Sequence, residues 1–129
     1  MIRLAREEDI EAVAKWVWKE VPYDAIRARI GPYTFVGEVD GEVVCMYGIR
    51  FFLIQAPQVW LLSTPALLQH RMAFLRANRE FIQWARAEFG VIESLVKCNN
   101  HISRRWLEWL GFRAVANDGP LIRMSTHVE

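Results

Sequence analysis

The sequence predicts an α/β (α+β) fold, a mixed central sheet of about six to seven strands with helices on both faces. Three observations carry this. Asp40-Gly41 stands between two apolar, β-rich runs, the strongest short hairpin signal a sequence offers. A long helical pattern over 65–89 lies between two strand-like segments, which implies a right-handed crossover and a parallel strand pair. The element order, β α α β β β α β α β β, therefore combines antiparallel hairpins with a parallel step.

Ile2 and Leu4 alternate with Arg3 and predict a short first strand. Ile10, Val13, Ala14 and Val17 then recur at i, i+3, i+4 and i+7, one apolar helix face. Glu7, Glu8 and Asp9 occupy its first turn, where negative charge suits the helix dipole. Pro22 ends it, a second helix follows over 23–30, and Gly31-Pro32 stops that one. Residues 33–39 and 42–54 are the two hairpin strands, with Gly48 placed to bulge. Gln55-Ala56-Pro57 turns the chain into a compact buried strand over 58–62.

Ser63-Thr64-Pro65 opens the long helix, with Thr64 as cap and Pro65 at the first helical position. Leu68, Met72, Leu75, Ile82, Ala85 and Phe89 form its apolar face, and Gly90 closes it. A strand over 91–98 leads to Asn99-Asn100, which open a last helix with Ile102, Trp106, Trp109 and Leu110 on its apolar side and Gly111 at its end. Strands over 112–116 and 121–126 finish the chain around Asn117-Asp118-Gly119-Pro120.

A chain of 129 residues suits one domain, 1–129, with no linker, repeat or low-complexity tract. Sixteen basic against fifteen acidic residues remove any global electrostatic case for nucleic acid or an anionic membrane. Six tryptophans and seven phenylalanines read first as a rich core, and only second as an exposed surface for a partner. The opening residues carry no apolar signal core, and no run approaches the ~18–20 apolar residues of a membrane span. Cys45 and Cys98 match no metal spacing and read as reduced, buried thiols of a cytoplasmic protein.

The element order, together with Asn100-His101-Ile102-Ser103-Arg104-Arg105-Trp106-Leu107-Glu108-Trp109-Leu110-Gly111-Phe112, resembles the GCN5-related N-acetyltransferase (GNAT) superfamily. An Asn opens a helix there, a small residue stands three on, and Gly-Phe ends the segment. A narrower resemblance joins Gln58-Val59-Trp60-Leu61-Leu62-Ser63, a glycine-free helix and Asn100-His101-Ile102-Ser103. These are similar to the GNAT-like phage proteins that include the internal virion protein A of short-tailed phages.

The wider resemblance implies acetyl-CoA as cofactor. Backbone groups near Leu62 and Thr64 would hold the pantetheine arm and polarise the thioester, and Gln69, His70, Arg71, Asn100 and Ser103 would complete the cofactor contacts. GNAT proteins cradle the pyrophosphate in a Gln/Arg-x-x-Gly-x-Gly/Ala loop, whose glycines let backbone N–H groups approach the phosphates. With Gln69 as its first residue, the glycine places hold Met72 and Phe74, and no glycine occurs anywhere over 51–89. The frequent tyrosine acid, seven residues after the helix-opening Asn, is Leu107 here. General acid catalysis is worth ~10²–10⁴-fold, so its absence slows a reaction rather than forbidding it.

No catalytic residue is assigned and no metal is implied. Glu38, Glu42 and Glu93 are base candidates that read first as surface carboxylates. His101 is a helix-start residue, His127 a tail residue, and Cys98 a thiol with only Lys97 beside it. Arg71, Arg76, Arg79, Arg86, Arg104 and Arg105 read as solvated helix faces interrupted by Glu80 and Glu88.

Two functions follow from the resemblances. The first is a phage or prophage protein whose GNAT fold has outlived its activity. It would act through virion proteins in assembly or genome delivery, in the host cytoplasm or the virion, without a cofactor. The second is an active acetyl-CoA-dependent N-acetyltransferase acting on a protein or small-molecule amine.

Overall fold

The computed structural model describes residues 1–17 and 21–126. Its strands are β1 Ile2–Leu4, β2 Thr34–Val39, β3 Glu42–Arg50, β4 Gln58–Ser63, β5 Glu93–Lys97, β6 Arg113–Asp118 and β7 Leu121–Ser125. Its helices are α1 Asp9–Val17, α2 Tyr23–Arg29, α3 Arg71–Phe89 and α4 His101–Trp109, with a 3-10 segment Pro65–His70 running directly into α3. The strands form one seven-stranded sheet in the order β1-β2-β3-β4-β5-β7-β6. The mixed α/β class and the strand number are those the sequence predicts.

The chain divides into two compact units, Met1–Arg50 with Trp60–Asn78, and Phe51–Val59 with Arg79–Glu129. In the first, Asp40 and Gly41 have φ of 51° and 79°, the left-handed pair a type I′ hairpin turn requires. β1 and β3 flank β2 antiparallel, and the bulge falls between Gly37 and Glu38 rather than at Gly48. Gly48 has a different role. A Cβ there would stand 2.7 Å from the Tyr33 carbonyl oxygen, so the neighbouring backbone keeps this place for glycine.

Ile10, Val13 and Ala14 turn the α1 face inward onto Ile26, Val36, Val43 and Met46, with Trp60 and Leu62 packed against them. Each buried aliphatic side chain contributes roughly 1.5–3 kcal/mol relative to exposure. The side chain of Val17 and all of residues 18–20 lie outside the described residues. Asp9 fixes the start of α1: its carboxylate accepts the Arg6 N–H at 2.7 Å, the backward half of a capping box.

In the second unit, β5 pairs parallel with the start of β4 at Gln58↔Glu93, and the Ser94 hydroxyl donates to the Val59 carbonyl at 3.0 Å. β7 runs antiparallel between β5 and β6. Gly90 closes α3 at φ 76°, and its N–H donates to the Arg86 carbonyl at 2.9 Å. Val59, Ile82, Ala85, Ile92, Val96, Leu107, Leu110, Phe112, Ile122 and Met124 are among its buried apolar side chains.

Several expectations change. β3 ends at Arg50, and Phe51-Phe52-Leu53-Ile54 is an exposed loop. Four successive apolar residues cannot share one strand face, so an apolar run alone does not make a buried strand. β4 is mostly half-buried, with only Val59 fully inside. The apolar stripe of α3 holds at Ile82 and Ala85 but not at its start. Residues 65–70 turn at ~3.0 residues per turn, not 3.6, so a face counted from Leu68 loses phase. Leu68 and Met72 are exposed, while Phe74, Asn78, Ile82 and Ala85 face inward.

On α4, two apolar rows compete and only one can be buried: Leu107 and Leu110 go in, Ile102 and Trp109 stay out. Of the aromatics, Phe112 is fully buried, Trp60 and Trp106 are half-buried and Trp84 is exposed. The indole N–H groups of Trp60 and Trp106 are buried with no acceptor among the described residues. Cys45 is buried, but Cys98 is exposed beyond the end of β5.

Candidate functional site

β4 leaves the sheet through Ser63 and Thr64. The Thr64 N–H and hydroxyl both donate to the Val44 carbonyl, at 2.9 and 3.0 Å. Thr64 occupies the cap position before Pro65 but makes no side-chain cap bond, because its hydroxyl is spent on stitching β4 to β3. Leu62, two residues earlier, packs on the core of the first unit.

Past Pro65, the Leu67 N–H donates to the Thr64 carbonyl at 3.1 Å, and the 3-10 turns continue into α3. The start of α3 therefore follows hydrogen-bonded turns rather than an open loop. Gln69 and Arg71 are exposed here and His70 is half-buried. Their side chains offer an amide, an imidazole and a guanidinium.

The two glycine places behave differently. Met72 is 67% exposed and projects outward. Phe74 is 3% exposed and lies against Gly37 of β2. Phe74 is a core side chain, with its ring in the interior.

Asn100 and Ser103 lie in the second unit. Asn100 caps α4: its side-chain oxygen accepts the Ser103 N–H at 3.1 Å. His101 is exposed as the first residue of that helix, and His127 lies outside the described residues.

The base candidates stand in different settings. Glu38 accepts from Arg3 at 2.8 Å. Glu42 is exposed beside the hairpin turn. Glu93 is half-buried between Gln58 and Ser125 in the sheet register. Among the described residues, no three His, Cys, Asp or Glu side chains stand close enough to hold a metal ion, and no helix is long and apolar enough to cross a membrane.

Sequence reasoning missed one feature, a polar concavity of about 520 Å³ beside α1 and the β2–β3 hairpin. Arg3, Lys15, Trp16, Glu38 and Glu42 are among its walls. Arg3 donates to both Asp9 carboxylate oxygens at 2.8 Å and to Glu38 at 2.8 Å. Burial pushes the Asp9 carboxyl up, but the Arg3 hydrogen bonds, the Arg6 N–H and the Arg3 charge outweigh it and hold it below its ordinary value. Arg3 is thus a strut between β1, α1 and β2, already saturated by two carboxylates. The arginine six residues before a helix-start aspartate was the available signal.

No family model and no curated protein matches this sequence. Solved structures do match, over nearly the whole chain. Ard1 from Thermoplasma volcanium superposes with a TM-score of 0.76 at 18% identity, covering 97% of this chain and 95% of that one. A GNAT-family acetyltransferase from Bacillus anthracis gives 0.68 at 14%, covering 96% and 90%. The PaiA N-acetyltransferase from Thermoplasma acidophilum, in complex with coenzyme A, gives 0.74 at 12%, covering 99% and 98%. The seven-stranded sheet and, among the described residues, four α-helices are those of the GNAT fold.

Proposed function

We propose that this chain, as one domain over 1–129, is a GNAT-fold protein that has given up acetyl transfer and works through protein contacts. The narrow resemblance through Gln58–Ser63 and Asn100–Ser103 supplies the setting: a phage or prophage protein whose partners are virion components, acting in assembly or genome delivery in the host cytoplasm or the virion.

The observation that carries the loss of activity is Phe74. A glycine cradle needs open backbone at that place, whereas this chain commits it to a ring packed in the core. A pyrophosphate brought there without backbone N–H partners suffers a large desolvation penalty. The absent tyrosine at Leu107, itself a buried core residue, points the same way.

A second reading, an active N-acetyltransferase, is favoured by the coenzyme A complex of the Thermoplasma acidophilum protein, which is similar over 99% of this chain. In that reading Leu62, Thr64, Gln69, His70, Arg71, Asn100 and Ser103 hold acetyl-CoA, and an amine of a protein or small molecule accepts the acetyl group.

Calorimetric titration with acetyl-CoA, alongside a free-thiol assay with polyamine and peptide amines, separates the two. The first reading expects a dissociation constant above ~100 µM, less than ~5.5 kcal/mol of binding. Low-micromolar binding with amine-dependent thiol release establishes the second instead.

A further inference from the structure

Two surfaces of the second unit face solvent with apolar side chains and opposite charge. The first is built by the β3–β4 loop and one flank of α3. Leu53 and Ile54 project from the loop at 104% and 95% exposure. Phe51 anchors the loop edge-on to Phe89 at 5.1 Å, Phe89 meets Trp84 at 5.7 Å, and Trp84 stacks on Phe81 at 6.0 Å. Glu80, Trp84 and Glu88 recur at every fourth residue, one row down that flank, and all three are exposed.

The second surface is the outer row of α4: Ile102, Arg105 and Trp109, at i, i+3 and i+7. Ile102 is 84% exposed, and Arg105 and Trp109 are exposed as well. Arg79 lies over the Trp109 ring, 5.4 Å from its centroid, and adds a second cation.

The rows are complementary. One reads acid, aromatic, acid, and the other apolar, base, aromatic with a further base alongside. At 1.5 Å per residue they span about 12 Å and about 10 Å. Solvent-facing apolar patches beyond a few hundred Å² are unusual on a monomer, and aromatic residues with arginine are what interface cores favour. The acidic row turns away nucleic acid and anionic lipid, and it calls for a partner whose apolar side chains are framed by arginine. The α4 row has that composition.

We propose that this chain self-associates head to tail, the α4 row of one copy seating on the α3 row and the Leu53-Ile54 knob of the next. The contact joins two different surfaces, so it propagates into a ring or a filament rather than closing as a two-fold dimer. It uses none of the residues assigned above to a cofactor, and it holds whether or not acetyl-CoA binds.

The test uses two variants whose changes fall on solvent-exposed side chains. Leu53→Asp with Ile54→Asp removes the knob, and Ile102→Asp with Arg105→Glu removes the α4 row. Light scattering coupled to size-exclusion chromatography should show the unmodified chain moving from monomer to assemblies larger than a dimer at about 10–100 µM. Each variant alone should stay monomeric, with an unchanged circular dichroism spectrum. An equimolar mixture should form a complex of two chains and stop there, since each variant keeps the surface its partner lacks. Salt at about 0.5 M should weaken that complex by screening the charged rims. A chain that stays monomeric throughout the range, a knob variant that still assembles, or a mixture without a two-chain complex overturns the proposal.

Discussion

Phe74 and Gly37 are a fitted pair. A Cβ on Gly37 would overlap the Phe74 ring, bringing two further ring carbons within 2.8 Å. The bulged strand β2 thus leaves a gap that a helix side chain fills, and this gives the bulky residue at the expected glycine place a structural reason to be there.

Substitution on either side of this pair should be costly in opposite ways. Phe74→Ala should lose ~3–5 kcal/mol by opening a cavity, and Gly37→Ala ~1–3 kcal/mol by overpacking. Urea titration measures both. A loss under ~1 kcal/mol for Phe74→Ala would show that the ring is dispensable and that the helix start can open. Met72→Gly, at an exposed position, should cost only about 1 kcal/mol, so it is the variant with which to probe phosphate binding without unfolding the core.

The Arg3–Asp9–Glu38 strut makes stability depend on acid. The Asp9 carboxyl is held below its ordinary value in the folded chain, so between the folded value and the unfolded value of ~3.9 the unfolded chain binds more protons. The stabilisation is complete above that range and is lost as pH falls through the folded value. Urea midpoints should therefore hold steady from pH 7 to 5 and drop below about pH 4. Asp9→Asn should lower the midpoint at pH 7 and flatten the acid slope, whereas an unchanged slope would remove Asp9 from the account.

The two thiols should differ sharply. Burial pushes the Cys45 thiol up to about 11, against a smaller lowering by its hydrogen bond with the Gly37 backbone, while Cys98 is exposed. At pH 8, Ellman's reagent should titrate Cys98 within minutes and reach Cys45 only at the rate of unfolding. Because the raised value favours the protonated folded chain, the Cys45 contribution to stability is full below about 9 and is lost as pH rises toward 11. Two equally fast thiols would place Cys45 at the surface.

The parts of this fold that local chemistry dictates were legible in the sequence. Asp40-Gly41 specified its hairpin turn, Gly90 its helix end and Asn100 its cap, because each depends on a residue and its immediate neighbours. What failed depended on phase or on covering. The start of the α3 stripe slipped because a 3-10 segment precedes the helix, and the exposed rows of α4 and the β3–β4 loop are apolar without being covered. The candidate site was legible only as positions. That the Thr64 hydroxyl points back to β3, and that Phe74 turns inward, are three-dimensional facts with no local signature.

Asn100 offers the sharpest separation of structural and binding roles. Its side-chain oxygen accepts the Ser103 N–H at the start of α4, a donor that otherwise lacks an intrahelical partner. Asn100→Ala should therefore cost ~1 kcal/mol, as loss of a cap usually does. Asn100→Asp keeps an accepting oxygen at the same place and adds negative charge at the positive end of the helix dipole, so it should hold stability within ~0.5 kcal/mol of the original. The same aspartate would repel a coenzyme phosphate drawn to this helix end. Full stability in Asn100→Asp with no change in the weak acetyl-CoA titration makes the residue a cap alone. A selective loss of acetyl-CoA affinity in Asn100→Asp, with stability intact, would make it a ligand contact and would favour the active-transferase reading.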